Sequence, residues 1–150
     1  LSYSPLDKKN SYWAKLDNAL REAAARGVTV NLLVSDWNIS ADELPYLQSL
    51  DILPNINLKI SSIPEYSAGY IPFARVEHCK YMIVDESLSW IGTSNWSRNY
   101  FYDSRNLGLK IENATFANTF RNIFIKSWDS PYVWQLIPGR DYPEKFHGEK

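Results

Sequence analysis

His78-Cys79-Lys80-Tyr81-Met82-Ile83-Val84-Asp85-Glu86-Ser87-Leu88-Ser89-Trp90-Ile91-Gly92-Thr93-Ser94-Asn95 lays out two short strands joined by a polar connection. Lys80 to Val84 is apolar or aromatic with a β-branched pair, as a buried strand requires. Leu88 to Thr93 predicts its partner, and Asp85-Glu86-Ser87 the turn of a hairpin. Side chains alternate faces along a strand, so His78 and Lys80 point the same way, roughly 6–7 Å apart. Pairing of the hairpin brings Asn95 beside His78. An imidazole can attack phosphorus or pass a proton, a lysine supplies a point charge for a phosphoryl oxygen, and the carboxamide donates from its NH₂. That set suits a phosphodiester better than a carbonyl.

Upstream, Tyr12, Trp13, Leu16, Leu20 and Ala23 share one helical face, with Asn10 or Ser11 as cap and Gly27 as stop. Val28 to Val34 is almost wholly apolar and β-branched, which predicts a strand of a parallel sheet buried on both faces. Asp36 and Trp37 follow at its carboxyl end, where α/β sheets place ligand loops. Taken alone, Asp36 is a turn or cap residue and Trp37 a rim aromatic. Ser40-x-x-Glu43 has the form of a capping box, but Pro45 moves the expected helix start to Pro45, with an end near Leu53. Ile56 to Ile60 alternates as a strand, and Ser61 to Pro72 is a loop.

Downstream of Asn95, residues 96–106 form a polar and aromatic loop long enough to line a site. Leu107 to Ile111 is a strand. Asn113 caps a helix whose stripe, Phe116, Phe120, Ile123, Phe124 and Trp128, predicts core packing. The tail from Ser130 has no period, and His147 within it is expected to be disordered.

The chain has 150 residues and a formal net charge of −1, which suits one α/β domain and disfavours long duplex nucleic acid as a partner. Its one cysteine, Cys79, allows no internal disulfide and no thiolate metal cluster. Cys79 is expected to pack inward, opposite His78. Two distant histidines and no clustered carboxylates give no metal-ligand spacing, so neither a metal nor another cofactor is expected. Of the sequons at Asn38, Asn95 and Asn113, only Asn38 is a fair glycan acceptor. No apolar run has the length of a membrane span. Leu1 to Pro5 opens in mid-pattern, like the trailing end of a strand.

The spacing H-x-K-x4-D-x6-G-T-x-N, carried by His78, Lys80, Asp85, Gly92, Thr93 and Asn95, resembles the signature of the phospholipase D superfamily. The stretches Ile71 to His78, Gly92 to Ser97 with Tyr100-Phe101, Trp128 to Tyr132, Tyr12-Trp13 and Leu33 to Trp37 are similar to the branch that holds phospholipase D family members three and four. The resemblance implies a mixed β-sheet flanked by helices, with residues 1–150 as the C-terminal half of a two-signature enzyme. It implies metal-independent phosphodiester cleavage through a phosphohistidine on His78. Lys80 and Asn95 would hold the phosphoryl oxygens, with Asp85 in a supporting role. Thr93, Ser94, Trp96 and Trp37 are the expected substrate contacts. The implied substrates are single-stranded DNA or RNA ends, with a phospholipid headgroup as alternative, in an endolysosomal, secretory or periplasmic setting. Asn106 stands where many members carry the acid that orients the nucleophile, which leaves the orientation of His78 unassigned, with Asp103 as one candidate. The single signature copy calls for a second half, in cis, as another chain or by homodimerisation. Without one, the chain would be a catalytically silent pairing domain.

Overall fold

The computed structural model describes residues 2–143, 145, 147 and 148. Strand β1 (Val30–Ser35) runs parallel to β2 (Ile56–Ser61), and the connection between them contains a 3₁₀ turn (Asp36–Asn38) and helix α2 (Leu44–Asp51). The apolar run at residues 28–34 is a strand of a parallel pair, as expected, and with α2 and β2 it forms a βαβ unit. Strand β6 (Val133–Gln135) adds antiparallel to the far edge of β2. The sequence gives no period for β6, because a three-residue edge strand is too short to show one.

A second sheet is antiparallel throughout, in the order β3 (Tyr81–Val84), β4 (Leu88–Gly92), β5 (Gly108–Glu112). The mixed α/β architecture is as expected, but the strands divide into two three-stranded sheets. The core lies in the first, where Leu32, Val34, Leu58 and Ile60 meet Leu44, Leu47 and Leu50 of α2. Pro45 sits in the first turn of α2, where its missing N–H costs nothing. Ser40 and Glu43 form no capping box, since the Glu43 carboxylate accepts instead from Asn38 Nδ2, at 3.2 Å.

Helix α1 (Ala14–Ala25) has no side-chain cap. Asn10 and Ser11 are taken up by the preceding turn, in which the Asp7 carboxylate accepts from the N–H groups of Lys9 and Ser11, at 2.8 and 2.9 Å. Gly27, with φ at +88°, ends the helix as anticipated. The buried polar residue of α1 is Asp17, which accepts from Tyr3 (2.5 Å), Tyr12 (2.6 Å) and Arg21 (2.6 Å).

Asn113 caps helix α4 (Ala114–Trp128) by accepting from Phe116 N–H at 2.9 Å. The aromatic stripe of α4 is only half-buried, and Ala117 alone is fully so. Its rings stack along the helix, Phe116 on Phe120 and Phe124 on Trp128, with centroids 4.8 and 5.4 Å apart. Phe124 and Trp128 line a cavity of about 380 Å³ bounded also by Leu33 of β1 and by Tyr81 and Ile83 of β3, and Phe120 meets Tyr81 edge-on with ring centroids 5.4 Å apart. No helix among the described residues is long and apolar enough to cross a membrane.

Candidate active site

Strand β3 begins at Tyr81, but its pairing with β4 reaches one residue earlier, through Gly92 N–H to Lys80 C=O at 3.0 Å. Lys80 is buried, 7 % exposed, and its Nζ donates to the carbonyl of His78 at 2.8 Å. An ammonium carries three protons. No other hydrogen-bond partner of this one occurs among the described residues. Burial pulls the Lys80 pKa below its ordinary value, against the raising influence of Cys79 and Glu77. His78 is exposed, and its imidazole pKa is lowered first by the Lys80 charge and then by partial burial. The neutral imidazole, which has a lone pair to give, is therefore the favoured form.

Asn95 lies three residues past the end of β4. It is buried, and its Oδ1 accepts Ser2 N–H at 3.4 Å. The backbone beside it is stitched to the N-terminal segment by Trp96 N–H to Ser2 C=O (2.8 Å) and Ser4 N–H to Trp96 C=O (2.9 Å). With its oxygen engaged, the carboxamide has its NH₂ left to donate.

Gly92 of the signature has a packing reason. The Trp90 ring lies over both Gly92 and Gly108, and a Cβ on Gly108 would meet Trp90 Nε1 at 2.7 Å. At Gly92 a Cβ would strike the same ring and come within 3.1 Å of the Leu107 carbonyl.

The remaining expected site residues are placed differently from one another. Asp85 is not brought to His78: it lies in the β3–β4 turn with φ at +48°, at the opposite end of β3. The four residues of β3 separate it from Lys80, a span of about 16 Å. Ser87 N–H to Val84 C=O, at 3.1 Å, closes that turn. Thr93 is exposed, and its hydroxyl is engaged with Asn106 Oδ1 (2.9 Å) and accepts Leu107 N–H (3.1 Å). Ser94 is buried, and Trp96 is half-buried against the core. Asn106 braces residues 97–107 through Nδ2 to Tyr100 C=O at 2.8 Å. Asp103 pairs with Arg98 (3.5 Å) and Lys8 (3.9 Å), and no contact with His78 is made. Cys79 is exposed, not packed inward, because its side of the strand opens on the cavity beneath α4.

Trp37 is exposed, with its ring 5.4 Å from that of His147. His147 lies against the body of the protein, with Nε2 at 2.9 Å from Asp36 Oδ1. The buried Asp36 carboxylate also accepts from Ser62 Oγ (2.8 Å) and faces Lys145 Nζ (3.3 Å). This cluster was missed in the sequence, and the only signal for it was an acid at the carboxyl end of a buried parallel strand. Asn38 is closed to glycosylation: it is 1 % exposed, and Nδ2 donates to Tyr3 C=O and Glu43. Among the described residues no group of three His, Cys, Asp or Glu is placed to hold a metal ion.

Residues 11–128 match the family model described as "Cardiolipin synthase, PLD-like domain". The chain belongs to the phospholipase D-like family. It is 42 % identical over 130 residues to Phospholipase D Z of Dictyostelium discoideum, covering 85 % of this chain and 31 % of that protein. It is 38 % identical over 149 residues to the 5'-3' exonuclease PLD4 of Homo sapiens, covering 87 % and 29 %. The chain thus spans about a third of the length of these phospholipase D-like relatives. Its fold is that of NucT from Helicobacter pylori, with a TM-score of 0.72 over 90 % of this chain and 79 % of that one, at 18 % identity.

Proposed function

We propose that residues 1–150 form one phospholipase D-like domain that supplies half of a phosphodiesterase site. The observation that carries this reading is a buried lysine with a single hydrogen-bond partner, two residues from an exposed imidazole of lowered pKa. A buried cation short of partners gains most from an incoming anion. The Lys80 ammonium and the Asn95 NH₂ hold the non-bridging oxygens, and the neutral His78 imidazole attacks phosphorus.

In that step a P–N bond forms as the P–O bond to the leaving group breaks, giving a phosphohistidine. The leaving oxygen takes its proton from a second histidine, provided by another signature-bearing half. Water then attacks the phosphohistidine and returns His78 to its starting state. Metal ions take no part in these steps.

Single-stranded nucleic-acid ends are the favoured substrate. The similarity to a protein named as a 5'-3' exonuclease supports this choice, as does a net charge of −1 that gives no broad field for duplex. Relatives named as phospholipases support the lipid headgroup as a second reading.

The test is hydrolysis of bis(p-nitrophenyl) phosphate and of a 5′-labelled oligonucleotide in EDTA, with acid-labile, alkali-stable label sought on His78. Turnover that needs a divalent ion, or a His78→Ala variant with full activity, would overturn the reading.

A further inference from the structure

Residues 97–106 connect the Asn95 turn to β5, and they contain helix α3 (Arg98–Tyr102). This short helix packs against the start of α1, far away in sequence. Trp13 lies 5.5 Å from Phe101 and meets Tyr102 edge-on, at 6.1 Å and 87°. The Arg98 guanidinium stands 5.0 Å from the centre of the Tyr102 ring and the Lys15 ammonium 5.8 Å from it, and Lys15 Nζ also donates to Tyr102 Oη at 3.1 Å. Even so packed, Phe101 and Tyr102 keep 47 % and 54 % of their surface in solvent. Rings held on one side and open on the other are not core.

Charge in these two segments runs against the average of the chain. Residues 7–15 and 97–106 carry five cations, Lys8, Lys9, Lys15, Arg98 and Arg105, against two acids, Asp7 and Asp103. Asp103 is engaged by Lys8 and Arg98, and Asp7 by backbone N–H groups. Lys9, Lys15 and Arg105 have no carboxylate partner among the described residues.

The cluster is fixed relative to the signature residues. Arg98 follows Asn95 by three residues, so their backbones are at most about 11 Å apart. Asn106 ties the far end of the loop to β4 by joining Thr93 Oγ1 to Tyr100 C=O.

We propose that Trp13, Lys15, Arg98, Phe101 and Tyr102 form a stacking platform for the first unpaired bases of a single-stranded nucleic acid whose scissile phosphate lies at Lys80 and Asn95. The assignment rests on the phosphodiesterase reading above and adds to it where the bases go. Exposed aromatic faces with interleaved cations are what sequence-tolerant single-strand binding requires, since every base has a π-face and every linkage a charge. A membrane would favour aliphatic neighbours around the rings, and residues 97–106 contain none.

The test uses the full chain with His78→Ala, to stop turnover. Its probes are a fluorescein-labelled ten-nucleotide oligothymidylate, an abasic ten-mer of the same charge, and phosphatidylserine vesicles. Phe101→Leu and Tyr102→Leu keep apolar packing on Trp13 and remove the π-face, and unchanged circular dichroism and thermal midpoint certify the fold. Each is expected to weaken oligothymidylate binding by roughly 10-fold and to leave abasic binding as it was. Absence of oligothymidylate binding, equal loss on the abasic strand, or ring-dependent binding to vesicles alone would overturn the platform. If ring-dependent binding holds while the unaltered protein cleaves no phosphodiester, the platform stands and the chemistry falls.

Discussion

The Lys80 ammonium donates to the carbonyl oxygen of His78 across 2.8 Å, so the cation folds back onto the residue whose imidazole it influences. One charge has two effects: it keeps the imidazole neutral, and it retains protons for a phosphoryl oxygen.

The first prediction concerns that coupling. The lowered His78 pKa means that its neutral form persists below the ordinary imidazole value of 6.5, and the acid limb of the rate profile falls below that value too. Lys80→Met removes the largest of the causes. The His78 titration followed by proton NMR should then move up toward 6.5. Turnover should fall by about 10²–10³-fold with the loss of one electrostatic contact to the phosphoryl group. An unmoved titration would show that the two side chains do not communicate.

Asn95→Asp separates holding from donating. The carboxylate still accepts Ser2 N–H, so the thermal midpoint should change little. It donates nothing and repels a phosphodiester, and kcat/KM should drop by at least about 100-fold. Steady-state kinetics beside a melting curve checks both halves, and intact activity would remove Asn95 from the site.

Gly92→Ala should destabilise by about 1–3 kcal/mol, the usual cost of forcing atoms into a filled space. Trp90→Leu clears the ring from above the glycine, so the double variant should recover part of the loss. Urea midpoints of the two single variants and the double variant form the cycle. Strict additivity would place the clash elsewhere.

Asp17 is a pH-dependent anchor for the N-terminal segment. Burial pushes its pKa up, but the bonds from Arg21, Tyr12 and Tyr3 together outweigh it and hold the carboxylate below its ordinary 3.8. A depressed folded pKa gives stability that is present above the unfolded value and lost as pH falls through the folded one. Unfolding measured from neutral pH down through 3.8 should therefore weaken at the acid end. Asp17→Asn should cost about 3–5 kcal/mol at neutral pH, where it leaves Arg21 uncompensated, and should flatten the acid slope.

Much of this was legible from residue spacing. The parallel strand β1 followed from the apolar run at residues 28–34, and the β3–β4 hairpin from Asp85-Glu86-Ser87 between two apolar stretches. The α4 cap followed from Asn113. These are local patterns, and local physics sets them. Contacts between distant segments were not legible. Nothing in the tail marks His147 as a neighbour of Asp36, because a contact across more than 100 residues leaves no period. Helix α3 was hidden in the same way, since one turn of polar and aromatic residues differs little from loop. Asp85 shows the converse limit: it fills its signature position, yet the strand carries it away from the histidine.

The stitching of Ser2 and Ser4 to Trp96 makes the first residues a tether on the Asn95 carboxamide. Tension, bulk or charge applied ahead of Ser2 reaches that carboxamide through one hydrogen bond, before it reaches any core residue. A substitution at Ser2 or Ser4 would therefore act as a ligand-site perturbation, to be counted among the variables of any kinetic comparison.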